Sequence, residues 1–336
     1  MKYADRVYGE AEIDEPVILE LINSSSLQRL KEIDQAGYRP LWVKPMADAG
    51  LYDYSRFAHS LGVFLLLRKY GAPPAEQIAG LIHDVSHSVF SHVIDYVLPG
   101  GSESEHSHQD NIFSAYVRKT EIPGILAKHG YDLEYVLNDK SFPLKERALP
   151  DLCADRIDYS LRSAVIFSEI DQDSKNYLLE NLLTRDQRWV FKDALSAKKY
   201  AELFFKLNDI YYSGFLSALM FRTVGDYLRH ALQKKYIAEG DLYTTDKAVL
   251  EKIAKYHTTD DKLSELFARM NKKIICRNNP QNFDTEVTCK SRAVDPWCSH
   301  QGKTLRVSEV YPEWADIVRR ESKPKQYFLK FTGNQI

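Results

Sequence analysis

The sequence predicts a mostly α-helical protein with a small mixed α/β segment at its C-terminal end. Apolar residues recur at helical spacing over most of the chain. Glycines and prolines fall where those periodic stretches stop and start. After about residue 255 the texture changes to short alternating runs rich in β-branched and aromatic residues. Residues 1–255 are read as a helical domain and residues 256–336 as a small mixed α/β region.

Leu19, Leu21, Ile22, Leu27, Leu30 and Ile33 keep helical spacing, broken at Ser24-Ser25-Ser26, which can cap a second helix. Gly37 stops it, where a positive φ is usual. The stretch 38–54 holds Pro40, Pro45 and Gly50 and is expected to be a loop or short irregular crossing. A helix then carries "AHSLGVFLLLRKYG" and ends at Gly71. Pro73 and Pro74 open the next, since proline is tolerated in a first turn. That helix is expected to carry "AEQIAGLIHDVSH". Further helices are expected around 109–119, 149–163, 174–183, 194–207 and 211–233. "KKIICR", "TEVTCKSRAV", "TLRVSEVY" and "KQYFLKF" read as short strands separated by turns at Asn278-Asn279-Pro280 and Gly302.

Charge is nearly balanced, with 45 basic and 47 acidic side chains, so no global field draws the protein to nucleic acid or an anionic membrane. Four widely spaced cysteines make no disulfide framework. The N-terminus "MKYADRVYGEAEIDEP" has no apolar signal-type run, and no stretch nears the ~18 apolar residues of a membrane span. A reducing, cytoplasmic location is expected.

The chemistry concentrates in "GLIHDVSHSVFSHVID", residues 80–95, which holds three of the ten histidines and two aspartates among core-like residues. Burying such groups together is costly unless they are paired or bind a metal. On a helix His83 and His87 are i, i+4 and share a face, with Asp84 adjacent. Imidazole and carboxylate suit one divalent ion of Mn, Fe, Co, Ni, Zn or Mg. Further ligands must come from elsewhere. His59 in "RFAHSLG" and Asp155 in "CADRIDY" are candidates on otherwise apolar helices. A lone histidine in such a helix is more often a satisfied core residue; the ordered set H…HD…D argues for a ligand group. His92 and Asp95, i, i+3, could form a histidine oriented by a carboxylate for acid–base work, or a plain helix-surface pair. His106 and His108 lie in the polar run "GGSESEHSHQD", and either could enter a cleft or stay solvated.

"RFAHSLG", "HDVSHSVFSH" and "DRIDY" together resemble the HD-domain metal-dependent phosphohydrolases. More narrowly they resemble the dNTP triphosphohydrolase branch, whose pattern is close to HSxG…HDxxHxxFSH…DxxDY. "RVYGEAEIDEPVILELINSSSLQRL" and "LQRLKEIDQAG" are similar to the upstream part of that branch, so the resemblance covers roughly residues 5–165. It implies a helical-bundle HD core over about 30–165. It further implies that His59, His83, Asp84 and Asp155 ligate one divalent metal. His92 with Asp95 would match the catalytic histidine and its acidic partner. His87 would line the phosphate side, and His108 falls near a further active-site histidine, with Gln109 where a glutamate is usual. Arg56 and Arg156 match residues that contact phosphate; Gln35 and Tyr159 match residues that hold the sugar or base-proximal part of a nucleotide.

Departures from that pattern are Ser86 for glycine and Val89 for proline. Ser163 stands where an aspartate often reads the sugar 3′-hydroxyl, and Ala36 where a leucine helps exclude a 2′-hydroxyl. "YYSGFLSALMFRTVGDYL" lacks the family's arginine and tyrosine, for which Arg222 or Tyr212 could substitute.

The activity implied is hydrolysis of a (d)NTP to nucleoside and triphosphate. Alternatives are a nucleotidase or phosphodiesterase on another phosphorylated small molecule, a di-iron oxygenase using His87, His92 and His108 as extra ligands, and a catalytically silent nucleotide-binding protein. By analogy with the family, a homodimer or homotetramer is expected.

Two C-terminal features have their own readings. Cys276, Cys289, Cys298 and His300 could hold structural zinc, but lack the close Cys-x2-Cys spacing; ordinary semi-buried cysteines are the expectation. "RRESKPKQYFLK" could touch nucleic acid or a partner, although a solvated face is the commoner meaning of such a run.

Overall fold

The computed structural model describes residues 1–38 and 54–334. Most of the expected crossing at 38–54 therefore lies outside the described residues.

Helix Arg56–Lys69 is the centre of the fold, with every side chain from Arg56 to Leu66 buried. An apolar sequence all round a helix demands this position. Helices Pro74–Ile82 and Ala154–Ile166 pack on it. Gly62 permits the second contact: a Cβ there would collide with the Asp158 carboxylate and the Arg162 guanidinium. Helices Ala194–Leu207 and Phe215–Gln233 extend the bundle, and Asp246–Ala254 and Asp261–Met270 follow.

The strands make three small sheets. Lys2–Asp5 and Gly9–Glu12 form an antiparallel hairpin. A four-stranded sheet runs Leu182–Arg185, Arg188–Phe191, Trp297–His300, Lys303–Arg306, with its central pair parallel. A three-stranded sheet places Lys325–Asn334 between Ile274–Asn278 and Thr285–Cys289, antiparallel to both. The parallel pair joins a strand before residue 255 to one after it.

Several expectations are corrected. The hairpin 182–191 falls mostly between the helices expected at 174–183 and 194–207, within the domain read as helical. Its turn residues Asp186 and Gln187 both have positive φ, which Asp-Gln advertises less clearly than Asn-Gly or Asp-Gly. "TLRVSEVY" is strand only to Arg306 and then turns helical at Val307–Val310. Helix Pro74–Ile82 stops before "HDVSH", so helical i, i+4 spacing is not what relates His83 to His87. The unwound carbonyls find other donors: Arg29 Nη2 donates to the carbonyls of Val85 (2.9 Å) and His87 (2.7 Å). His92 and Asp95 lie on a 3-10 segment, Ser91–Tyr96, entered through left-handed Phe90 and Ser91 (φ 54° and 52°). Such strain persists only where the surroundings fix it. Here Asp246 accepts from Phe90 N (2.7 Å) and Asp34 N (2.9 Å), and Ser91 Oγ donates to the Asp34 carbonyl.

Cys276 and Cys289 belong to one sheet and Cys298 and His300 to another, and these four do not converge as a ligand group. Within the basic C-terminal run, Lys325 pairs internally with Asp209 (2.8 Å) and Glu321 (3.1 Å). Among the described residues, no helix is long and apolar enough to cross a membrane.

Candidate metal centre and its cleft

Three elements meet at one point. His59 comes from the first turn of the central helix, His83 from the C-cap of Pro74–Ile82, with Asp84 beside it, and Asp155 from the first turn of Ala154–Ile166. His59 Nε2 lies 3.1 Å from His83 Nε2 and 2.9 Å from Asp155 Oδ1, and His83 Nε2 lies 3.5 Å from Asp155 Oδ1. Asp84 Oδ1 is 3.4 Å from His83 Nε2, and its Oδ2 is 3.7 Å from His59 Nε2. Ligands bonded at ~2.1 Å to one ion stand roughly 3.0–3.4 Å apart in octahedral or tetrahedral arrangements. The spacings among His59, His83 and Asp155 fit, while Asp84 stands beside that group with Oδ1 toward His83 and Oδ2 toward His59 and Arg56. The far ring nitrogens are also committed: His59 Nδ1 meets Asp158 Oδ2 (2.7 Å) and His83 Nδ1 meets the Gly80 carbonyl (2.7 Å). That commits both Nδ1 atoms and leaves both Nε2 atoms facing the shared point, the orientation metal-binding histidines adopt.

Asp158 is itself held. Arg162 Nε and Nη2 donate to its two oxygens at 3.0 Å each, and Arg162 Nη2 also reaches Asp5 Oδ2 at 2.9 Å. The sequence reading assigns no role to Asp158 or Arg162, although the second aspartate of "DRIDY", one helical turn after Asp155, is a signal for it.

Electrostatics follow from this packing. Burial opposes charge on His59, but hydrogen bonds to Asp155 and Asp158 outweigh it and raise the imidazole to about 9. Burial likewise raises the Asp84 carboxyl, yet His83, Arg56 and His87 hold it well below the usual range. His87 is lowered to about 4 by burial and then by Arg56.

A cleft of about 450 Å³ opens over the centre. Its histidine wall is formed by His87, His92 and His106. His87 Nε2 is 3.3 Å from Asp84 Oδ1; the His87 and His92 rings meet edge to face (centroids 5.1 Å), and His92 stacks on His106 (5.0 Å, 22°). Burial first, then the charge of Arg56 for His92 and the adjoining His92 ring for His106, holds both well below the ordinary histidine value. Asp95 Oδ2 faces His92 Nδ1 at 3.9 Å, beyond hydrogen-bond reach, while Asp95 Oδ1 accepts from His108 N (3.1 Å).

His108, expected at the reaction centre, is corrected. It starts helix His108–Val117, its Nε2 meets Tyr243 OH (2.9 Å), and it does not line the cleft, whereas His106 does. Gln109 steadies the ligands instead, donating to the His83 carbonyl (2.8 Å).

Of the remaining expected residues, Gln35, Arg56, Arg156, Tyr159 and Tyr212 line the cleft with particular commitments, whereas Arg222 does not and pairs with Asp226 (2.6 Å). Arg56 donates to Ser91 Oγ (2.9 Å), Asp84 Oδ2 (2.8 Å) and the Gln35 carbonyl (3.0 Å), which leaves two of a guanidinium's five N–H donors. Arg156 Nη1 reaches the Asp151 carbonyl (2.7 Å) and Cys153 Sγ (3.1 Å); its buried Nε has no partner among the described residues. Glu146, Cys153 and Asp155 also cluster, but Arg156 already serves them as cation, with Nη2 3.9 Å from Glu146. Gln35 Oε1 has no partner among the described residues, and Tyr159 packs edge to face on Tyr212 (5.4 Å). Sequence reasoning gives no role to Lys145, Lys290 or Arg292, which also line the cleft. The last two lie far beyond the region of resemblance, and no local pattern marks them.

With this geometry established, comparison with known proteins gives the class. Residues 56–162 match the HD domain family. The chain is 34% identical to the uncharacterized protein YdhJ of Bacillus subtilis over 92% of each chain. It is 39% identical to the metal-dependent phosphohydrolase cns2 of Cordyceps militaris over 53% of this chain, spanning only 49% of cns2. It is 32% identical to the SAMHD1 homolog of Dictyostelium discoideum, a deoxynucleoside triphosphate triphosphohydrolase, over 41% of this chain and 27% of that one. A solved phosphohydrolase from Bacteroides thetaiotaomicron shares the fold at 19% identity, with a TM-score of 0.67 over 99% of this chain and all of that one. The chain belongs to the HD-domain family. It is a metal-dependent phosphohydrolase with dNTP triphosphohydrolase-like relatives.

Proposed function

We propose that the protein hydrolyses nucleotides, as a (d)NTP triphosphohydrolase that releases nucleoside and triphosphate. The observation that carries this reading is the convergence of His59, His83, Asp84 and Asp155 at the floor of a cleft walled by histidines and by cations. A volume of about 450 Å³ suits a ligand of nucleotide size. The relatives whose names include this activity add support.

The four ligands would hold one divalent ion, of Mn, Mg, Fe, Co, Ni or Zn. When bound, such an ion polarises a phosphoryl oxygen and acidifies water. The chain's own groups do the rest. Arg156 and the remaining donors of Arg56 bind phosphate oxygens and offset charge that grows there. His92, half-buried and uncharged, accepts a proton from the attacking water or relays one to the departing 5′ oxygen; Asp95 supports the charge it gains. His87 fills the phosphate side and excludes water. Gln35, Tyr159 and the nearby aromatic side chains receive the nucleoside. Water adds to the α-phosphorus as the bond to the 5′ oxygen breaks.

Two observations favour a second reading in which deoxyribose is not required. Ser163 Oγ is engaged by Tyr54 OH (2.9 Å), and Ala36 lines the cleft with a side chain smaller than leucine. A nucleotidase or phosphodiesterase would use the same parts. The test is a panel of dNTPs, NTPs, nucleoside monophosphates and cyclic dinucleotides with metal-loaded protein, products being resolved by chromatography. Triphosphate release from (d)NTPs is expected. Orthophosphate release from monophosphates alone would replace the first reading by the second.

A further inference from the structure

Most cations in the cleft already have a carboxylate. Arg56 pairs with Asp84, Lys145 with Asp139, and Arg156 faces Glu146. Lys290 and Arg292 differ. Both line the cleft, yet among the described residues neither makes an ion pair. Lys290 Nζ donates only to the Glu105 carbonyl (2.5 Å).

Their placement is built. The segment leaving strand Thr285–Cys289 is anchored by buried Asn208, whose Nδ2 donates to Ser291 Oγ (3.0 Å) and whose Oδ1 accepts from Arg292 N (3.0 Å). Ser291 thus turns into the protein, and the residues on either side turn into the cleft. Two adjacent positive groups in a confined space oppose each other unless an anion joins them. The surroundings register this. Burial and the Arg292 charge lower the Lys290 ammonium to about 8, and both cations help depress His92 and His106. Asp110 and Glu105 are the carboxylates whose charge acts on Lys290, and neither forms an ion pair with it; burial keeps the Asp110 carboxyl raised.

We propose that Lys290 and Arg292, supplied by the C-terminal region, form a second anion-binding subsite beside the histidine wall, so that the substrate carries a second anionic group besides the one at the metal centre. This rests on the phosphohydrolase reading. It also gives the C-terminal region a task in selecting substrate: a phosphate monoester leaves these cations unsatisfied, and a longer or doubly phosphorylated substrate does not.

The test uses the full, metal-loaded chain and calorimetric affinities for orthophosphate, inorganic triphosphate and adenosine 3′,5′-bisphosphate. Removing one charge-assisted hydrogen bond weakens binding roughly ten-fold or more. Lys290→Gln and Arg292→Gln should each lower the ratio of polyanion to orthophosphate affinity about ten-fold, and Arg292→Lys should restore part of it. A weakening confined to triphosphate assigns a chained phosphate, and one confined to the bisphosphate assigns a separate one; either supports the subsite. An unchanged ratio in folded variants, judged by circular dichroism, overturns it. Because binding is read directly, a protein that hydrolyses nothing would refute the enzymatic reading while leaving the subsite separately decided.

Discussion

Replacing Asp158 by alanine removes the group that orients His59 while leaving all four proposed ligands in place. Three hydrogen bonds end on this buried carboxylate: one from His59 Nδ1 at 2.7 Å and two from Arg162 at 3.0 Å. After the change Arg162, 1% exposed, retains only Asp5 as a charged partner. Breaking a buried pair from one side costs about 3–5 kcal/mol. Losing the partner that fixes a metal-binding histidine costs ~10–100-fold in metal affinity. Two assays separate these effects: urea unfolding of the metal-free protein, and competition for Zn or Mn against a chromophoric chelator. Both losses are expected together. Wild-type metal affinity in a folded Asp158→Ala protein would refute the claim that this carboxylate sets the His59 ring.

Other outcomes follow from the same geometry. His83→Ala and Asp84→Ala should abolish bound metal and turnover together, whereas His92→Ala should keep metal by elemental analysis and lose ~10²–10⁴-fold in kcat. His106→Ala should depress kcat/KM more than His108→Ala, because only the former ring lines the cleft; the reverse order would put the catalytic wall elsewhere. Burial pushes the Asp246 carboxyl up to about 8 against the lowering effect of the Asp34 and Phe90 N–H groups. The folded value lies above the unfolded one of about 3.9, so its contribution is whole below about pH 4 and is lost as pH rises through about 8. Wild-type unfolding free energy should therefore fall across that window relative to Asp246→Asn; parallel pH profiles of the two proteins would contradict this.

The helical core and the convergence of the residues proposed as ligands were legible because their signals are local. "RFAHSLG" and "DRIDY" place His59 and Asp155 in the first turns of long periodic helices, and the structure keeps them there. The stretch after Ile82 misled because what unwinds it is remote: Arg29 captures its carbonyls, and Asp246 clamps the turn at Phe90. His106 and His108 stand two apart in one polar run; His92 and Tyr96 hold the first at the cleft wall, and Tyr243 holds the second away from it. Arg162 was hidden for a similar reason, since its partners Asp158 and Asp5 lie 4 and 157 residues away. Lys290 and Arg292 become cleft residues through Asn208, 84 residues before Arg292.

The most direct measurement is anomalous scattering from a crystal grown with Mn or Zn and a nonhydrolysable nucleotide. One ion is expected within ~2.0–2.3 Å of His59 Nε2, His83 Nε2 and an oxygen each of Asp84 and Asp155, with a phosphate against it. A crystal with nucleotide in the cleft and no ion among these four side chains would contradict the account.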